Sequence, residues 1–90
     1  MMADKKTVTR LLKTARGQLD GLLRMVEEDR YCVDISNQLL ATEAILRKIN
    51  REVMLAHLRG CVKTSLESGN EDEADEKIEE IAALLEKMSR

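Results

Sequence analysis

Apolar residues follow a helical period along almost the whole chain. Val8, Leu11, Leu12, Ala15, Leu19, Leu22, Leu23 and Val26 recur at spacings of three and four, predicting an amphipathic first helix from about Lys5 to Glu28. Glu27-Glu28-Asp29-Arg30 is a short polar break. A second pattern starts near Cys32 and runs to about Leu66 through Val33, Ile35, Leu39, Leu40, Ile45, Leu46, Ile49, Val53, Met54, Leu58 and Val62, weakened only by Gly60. Ser68-Gly69-Asn70 is a turn signal that closes it. Ile78, Ile81, Ala82, Leu84, Leu85 and Met88 predict a short third helix, and Glu71 to Glu76 reads as a loop or as its acidic first turn. With no internal repeat or low-complexity tract, residues 1–90 read as one all-α domain, a three-helix protomer with a long central helix.

The length of the central helix has a consequence. At 1.5 Å per residue it spans roughly 50 Å, more than the first helix can cover. Its remaining apolar face should meet a second copy of itself, which predicts an antiparallel dimer. Gly17 and Gly21 interrupt the stripe of the first helix. Each costs about 1 kcal/mol in a helix interior, so another helix is expected to approach closely there.

Composition points the same way. The chain is 43% hydrophobic but only 1% aromatic, with no Phe, Trp or Pro. The core must therefore be aliphatic and thin, and a chain of this size makes up the deficit by association. The longest apolar runs, Val53 to Ala56 and Ile81 to Leu85, fall far short of the roughly 20 residues of a membrane span. Met1 to Lys6 is charged and lacks the apolar stretch of a signal peptide. A cytoplasmic protein without a membrane partner is expected, in which Cys32 and Cys61 are thiols, metal ligands or redox sensors.

The net charge of −2 conceals a division, because residues 1–66 carry +4 and residues 67–90 carry −6. The cations form two groups, Lys5, Lys6, Arg10, Lys13 and Arg16, then Arg47, Lys48, Arg51, Arg59 and Lys63. They read either as solvated helix faces or as basic patches that oligomerisation joins into a nucleic-acid surface.

His57 and Cys61 stand at i and i+4, so one helix face can offer both to one ion. The same spacing also suits two ordinary packing residues. Cys32 lies roughly 37 Å from His57 along the same helix and cannot join them within one chain. In an antiparallel pair crossing near Ile45 and Leu46, however, residue 32 of one copy faces residue 59 of the other, midway between His57 and Cys61. Two equal sites follow, each with Cys32 from one subunit and His57 with Cys61 from its partner. Two thiolates and one imidazole, with no second histidine, suit a three-coordinate soft ion, Cu(I). A cross-subunit disulfide between Cys32 and Cys61 is the rival chemistry.

Three segments, Arg16-Gly17-Gln18-Leu19-Asp20-Gly21, Tyr31-Cys32-Val33-Asp34-Ile35 and His57-Leu58-Arg59-Gly60-Cys61, resemble the copper-sensitive operon repressors. The resemblance covers nearly the whole chain. It implies an antiparallel dimer that assembles into a dimer-of-dimers tetramer, and a repressor that binds operator DNA without a helix-turn-helix motif and is released by its ligand. The Cys32, His57, Cys61 set is similar to the copper-sensing branch. The nickel/cobalt branch places a histidine at the third position and another near the N-terminus, whereas position 61 here is Cys and His57 is the only histidine; the formaldehyde branch has an N-terminal proline, which this chain lacks. The persulfide branch keeps both cysteines without the histidine and is the nearer competitor. The resemblance also implies that Tyr31 and Glu80 support the histidine ring from outside the ligand set. It further implies DNA contacts from Arg10, Lys13, Arg16, Arg47, Lys48 and Arg51. Lys48 stands where the family shows an arginine, and a lysine neutralises phosphate without forming a bidentate fork.

The leading expectation is thus a Cu(I)-responsive repressor that holds operator DNA in the apo form. A persulfide-responsive repressor of the same fold and a metal-buffering helical oligomer without DNA affinity are the alternatives. An enzyme is not expected, since the chain has one histidine, no Gly-rich phosphate loop and no base–nucleophile pair outside this trio.

Overall fold

Asp4 starts the first helix, α1 (Lys5–Glu27). Its carboxylate accepts from the Thr7 backbone N–H at 3.2 Å and from the Thr7 hydroxyl at 2.5 Å, satisfying donors that the first turn leaves unpaired. The helix ends at a left-handed residue, Asp29 (φ 51°), a side chain type that tolerates this conformation. The Asp29 N–H donates to the Val26 carbonyl at 3.1 Å and the Arg30 N–H to the Met25 carbonyl at 2.9 Å, which closes the last turn and reverses the chain.

The second helix, α2 (Cys32–Ser68), has 37 residues and sets the long axis of the protomer, 58 Å. Gly60 does not interrupt it. It stops at Gly69, whose left-handed backbone (φ 64°) lets its N–H donate to the Ser65 carbonyl at 3.0 Å. The computed structural model describes residues 1–69 and 71–89, so Asn70 of the expected turn lies outside the described residues. The third helix, α3 (Glu71–Met88), already contains the acidic stretch. Glu71, Asp72 and Glu73 form its first turn, where the partial positive charge of the helix N-terminus favours them, so the loop alternative gives way.

α1 lies antiparallel on α2, as shown by Gln18 facing Thr42 and Val8 packing with Ile49. Among the described residues α3 packs on α2 and not on α1. The core is small, comprising Val8, Leu11, Ala15 and Ile49 with Ala3, Ile45 and Val53 at its edge, and Leu22 buried further along α1. Thr42 is the buried polar residue, its hydroxyl shared between Gln18 Oε1 at 2.9 Å and the Gln38 carbonyl at 3.0 Å. No described helix is long and apolar enough to cross a membrane.

What the protomer leaves uncovered is more telling than what it buries. Its accessible surface is 7160 Å², whereas a folded monomer of this mass exposes about 5,300 Å². Leu12, Leu19 and Leu23 of α1 and Leu39, Leu40, Leu46, Leu55 and Val62 of α2 are all exposed. α2 carries exposed apolar residues on more than one side while α1 covers one, which leaves it apolar area for further contacts. The close approach expected at Gly17 and Gly21 is not made within the protomer, since nothing lies within 4 Å of where a Cβ would stand at either residue.

Candidate functional site

The end of α2 and the middle of α3 meet at His57. The i, i+4 spacing puts His57 and Cys61 on one face, and the ring Nε2 lies 3.4 Å from Cys61 Sγ. From α3, Glu80 Oε1 approaches the same nitrogen at 3.3 Å. The other oxygen of that carboxylate, Oε2, is 3.5 Å from Lys77 Nζ one turn earlier on α3. Lys77 and His57 therefore hold the two ends of one carboxylate, and the carboxylate fixes the plane of the ring.

This arrangement has a chemical meaning. A carboxylate accepts hydrogen bonds, so Nε2 facing Glu80 is the nitrogen that carries the proton. Nδ1 is then the nitrogen with a lone pair to offer. His57 is about two-thirds buried, with side-chain exposure of 34%, so the ring is positioned without being sealed from a small ligand. Glu80 meets His57 through a ring nitrogen and acts as a hydrogen-bond partner to it. Among the described residues no three His, Cys, Asp or Glu side chains of one chain converge as a ligand set.

The third member of the expected trio is at the far end of the molecule. Cys32 opens α2 and is exposed, with Tyr31 beside it as the N-cap residue, also exposed. Both cysteines are free thiols. The protomer thus brings Glu80 to His57 and leaves Cys32 and Tyr31 apart from them. One relationship links the two ends. By the 3.6-residue period, Cys32, Leu39, Leu46, His57 and Cys61 fall within a stripe about 60° wide on α2. That stripe lies about 80° around the helix from Thr42 and Ile49, which face α1, and Leu39 and Leu46 on it are exposed.

The expected DNA-contacting residues Arg10, Lys13, Arg16, Arg47, Lys48 and Arg51 are all exposed. Lys5, Lys6, Arg10 and Lys13 border one shallow concavity at the start of α1. The helical period turns that group away from α2, and turns Arg47, Lys48 and Arg51 away from α1. A single protomer therefore does not gather them into one surface.

Two residues near the centre escape a reading by motif. Lys77 carries a detectable signal, an i, i+3 pairing with Glu80. Met2 does not, although it borders the same cavity as His57 and Cys61. Its only trace in the sequence is the glycine at position 60, inside an otherwise continuous helix.

Known proteins share this architecture and much of the sequence. The copper-sensing transcriptional repressor CsoR of Bacillus subtilis is 33% identical over 87 residues, covering 97% of this chain and 83% of that protein. CsoR of Mycobacterium tuberculosis is 38% identical over 78 residues, or 87% of this chain, and the aligned part spans 66% of the mycobacterial protein. The crystal structure of the copper-sensing repressor CsoR with Cu(I) from Geobacillus thermodenitrificans superposes with a TM-score of 0.83 at 27% identity, covering 94% of this chain and 85% of that one. The nickel-responsive transcriptional regulator InrS shares the fold, with a TM-score of 0.83 at 20% identity. The profile of the metal-sensitive transcriptional repressors matches residues 4–87. Together with the three-helix architecture, that match assigns the chain to the metal-sensitive transcriptional repressor family.

Proposed function

We propose that the protein is a Cu(I)-responsive repressor that binds operator DNA when metal-free and releases it when Cu(I) is bound. The observation that carries this reading is the Glu80–His57–Cys61 arrangement, a carboxylate on Nε2 at 3.3 Å beside a thiol at 3.4 Å. It orients an imidazole whose Nε2 is engaged by the carboxylate, on the same helix face as a soft donor, and two thiolates with one imidazole suit a monovalent copper ion. The relatives whose names describe copper sensing, and the neighbour with Cu(I), support the choice of metal.

Cys32 of one subunit and His57 with Cys61 of its partner would hold the ion. The stripe containing Cys32, Leu39, Leu46, His57 and Cys61 supports an antiparallel α2 pair, because a dyad near Leu46 superposes one end of the stripe on the other. Tyr31 adjoins Cys32, and the family resemblance assigns it to share support of the partner's ring with Glu80. The excess exposed surface of each protomer supports further association of dimers into a tetramer in the cytoplasm, joining the α1 and α2 basic groups into DNA-binding faces.

The protein's own residues transmit the signal. Joining the start of one α2 to the end of the other fixes their crossing, and the Glu80 contact carries the position of His57 into α3. A ligand shifts the equilibrium only by its differential affinity for the two helix arrangements. The two free thiols also favour a persulfide-responsive reading, in which Cys32 and Cys61 cross-link. One experiment separates these readings. Fluorescence anisotropy of labelled operator DNA at fixed salt should show release by Cu(I) in the Cys32→Ala-sensitive, His57→Ala-sensitive manner of a metal site. Release by polysulfide alone, unaffected by His57→Ala, would establish the thiol reading, and no DNA binding at all would leave only a metal-buffering oligomer.

A further inference from the structure

The segment before α1 brings another sulfur to the centre. Because α1 is antiparallel to α2, the residues ahead of Lys5 come alongside the last third of α2. There the Met2 side chain lies over Gly60, with Cγ 3.3 Å and Sδ 3.4 Å from the point where a Cβ at that position would stand, and Cε in direct overlap with it. A side chain at position 60 would push the end of Met2 out of this position. The backbone of Gly60 is ordinary helix, so conformation does not require glycine there, and a glycine inside a helix weakens it. What glycine supplies is the seat for Met2.

The seat opens on the ligands. Met2, His57, Gly60, Cys61 and Thr64, with Lys77 of α3, line one cavity of about 320 Å³. Of the five methionines, Met2 alone among the described residues borders it. Met2 remains 61% exposed, so it contributes little as a packing residue where it stands. A thioether is an uncharged soft donor of the kind that selects monovalent copper.

We propose that Met2 is a further sulfur donor to the ion held by His57 and Cys61, seated by Gly60 and closing the cavity on its α1 side. This rests on the Cu(I) reading above. The step is a dative bond from a sulfur lone pair, in which no bond breaks, no electron is transferred and no proton is released. In that respect Met2 differs from both cysteines, whose binding releases protons.

The test uses full-length protein grown with selenomethionine, loaded with Cu(I) and measured by X-ray absorption at the copper edge. A copper–selenium scattering path is expected in the parent protein and absent from Met2→Leu, which keeps the apolar volume and loses the donor, and from Gly60→Ala, which fills the seat. Competition with a chromogenic Cu(I) chelator should show both variants binding on the order of 10-fold more weakly, by the same factor at pH 6 and pH 8, as befits a donor that releases no proton. Circular dichroism should show all three proteins equally helical, since alanine is the better helix former at position 60. Absence of the selenium path in the parent, or unchanged affinity in Met2→Leu, overturns the role of Met2. Failure of the parent to bind Cu(I), or undiminished binding by Cys61→Ser, instead overturns the copper reading and the Met2 proposal with it.

Discussion

Glu80 Oε1 stands 3.3 Å from His57 Nε2, joining α3 to α2 at the one histidine of the chain. This contact decides which ring nitrogen carries the proton and ties the orientation of the ring to the position of a separate helix. Removing such a partner lowers metal affinity by about 10- to 100-fold in general. Glu80→Ala should therefore weaken Cu(I) binding within that range while leaving the helix content intact. Glu80→Gln, which can still accept a hydrogen bond, should lose less. Chelator competition measures both, and equal affinity of Glu80→Ala and parent would show that the contact is incidental.

Leu46 tests the pairing of the long helices. It is 46% exposed in the protomer, and the proposed antiparallel α2 pair would cross there. Leu46→Glu places two carboxylates against each other at the dyad and should drive the protein toward monomer in sedimentation equilibrium, with loss of helicity because the core is too thin to stand alone. Leu46→Lys should do the same. An equimolar mixture of the two should recover the dimer, since opposite charges then face each other. No recovery would place the crossing elsewhere on α2.

Arg10 and Lys13 border the concavity at the start of α1 and face away from α2. If each contacts a phosphate, its replacement by Ala should weaken operator binding and lower the slope of log affinity against log salt by about 1. The loss should be similar for operator and unrelated DNA, because phosphate contacts carry no sequence information. An unchanged slope would assign these residues to solvent.

Thr42 is buried, and its hydroxyl serves both Gln18 and the Gln38 carbonyl. Thr42→Val keeps the shape and removes the donor, leaving Gln18 Oε1 with only the 3.5 Å contact from Gln38 Nε2. Stability should fall by about 1 kcal/mol in chemical denaturation at fixed protein concentration. No loss would mean that water replaces the hydroxyl.

Asp4 gives the fold a pH dependence of known sign. The Thr7 hydroxyl, then the Thr7 backbone N–H, hold its carboxyl below the usual carboxylate range. Because the folded value is the lower one, the cap stabilises α1 at any pH above the ordinary carboxylate value. That contribution is lost as pH falls through the folded value. Amide hydrogen exchange in the first turn of α1 should be faster in Asp4→Ala than in the parent at neutral pH, and the two should converge in acid. Since Asp4 also anchors the segment carrying Met2, the same variant should loosen the seat at Gly60.

The sequence by itself determined the three helices, because period and turn residues are local signals. The start of α2 at Cys32 agrees with its apolar pattern, and α1 ends one residue before the expected Glu28. Membership in the copper-sensitive operon repressors and their wider family was equally legible, carried by three short segments around Gly17, Cys32 and His57. The i, i+4 spacing put His57 beside Cys61 before any coordinates did, since a helix fixes that neighbourhood at short range.

Tertiary structure decided what depends on contacts between elements. Whether Glu80 reaches His57 turns on the register of α3 against α2, which no local pattern states. The acidic run before Ile78 favours a helix start only once the dipole of a real helix is present. Gly17 and Gly21 face open space in the protomer because α1 meets α2 along its other side, through Val8, Leu11 and Ala15. Gly60, in the sequence a weak point in a helix, proved to be the seat of Met2. Sequence spacing cannot anticipate a contact between residues 2 and 60, because it exists only when an antiparallel chain brings a terminus back along the helix.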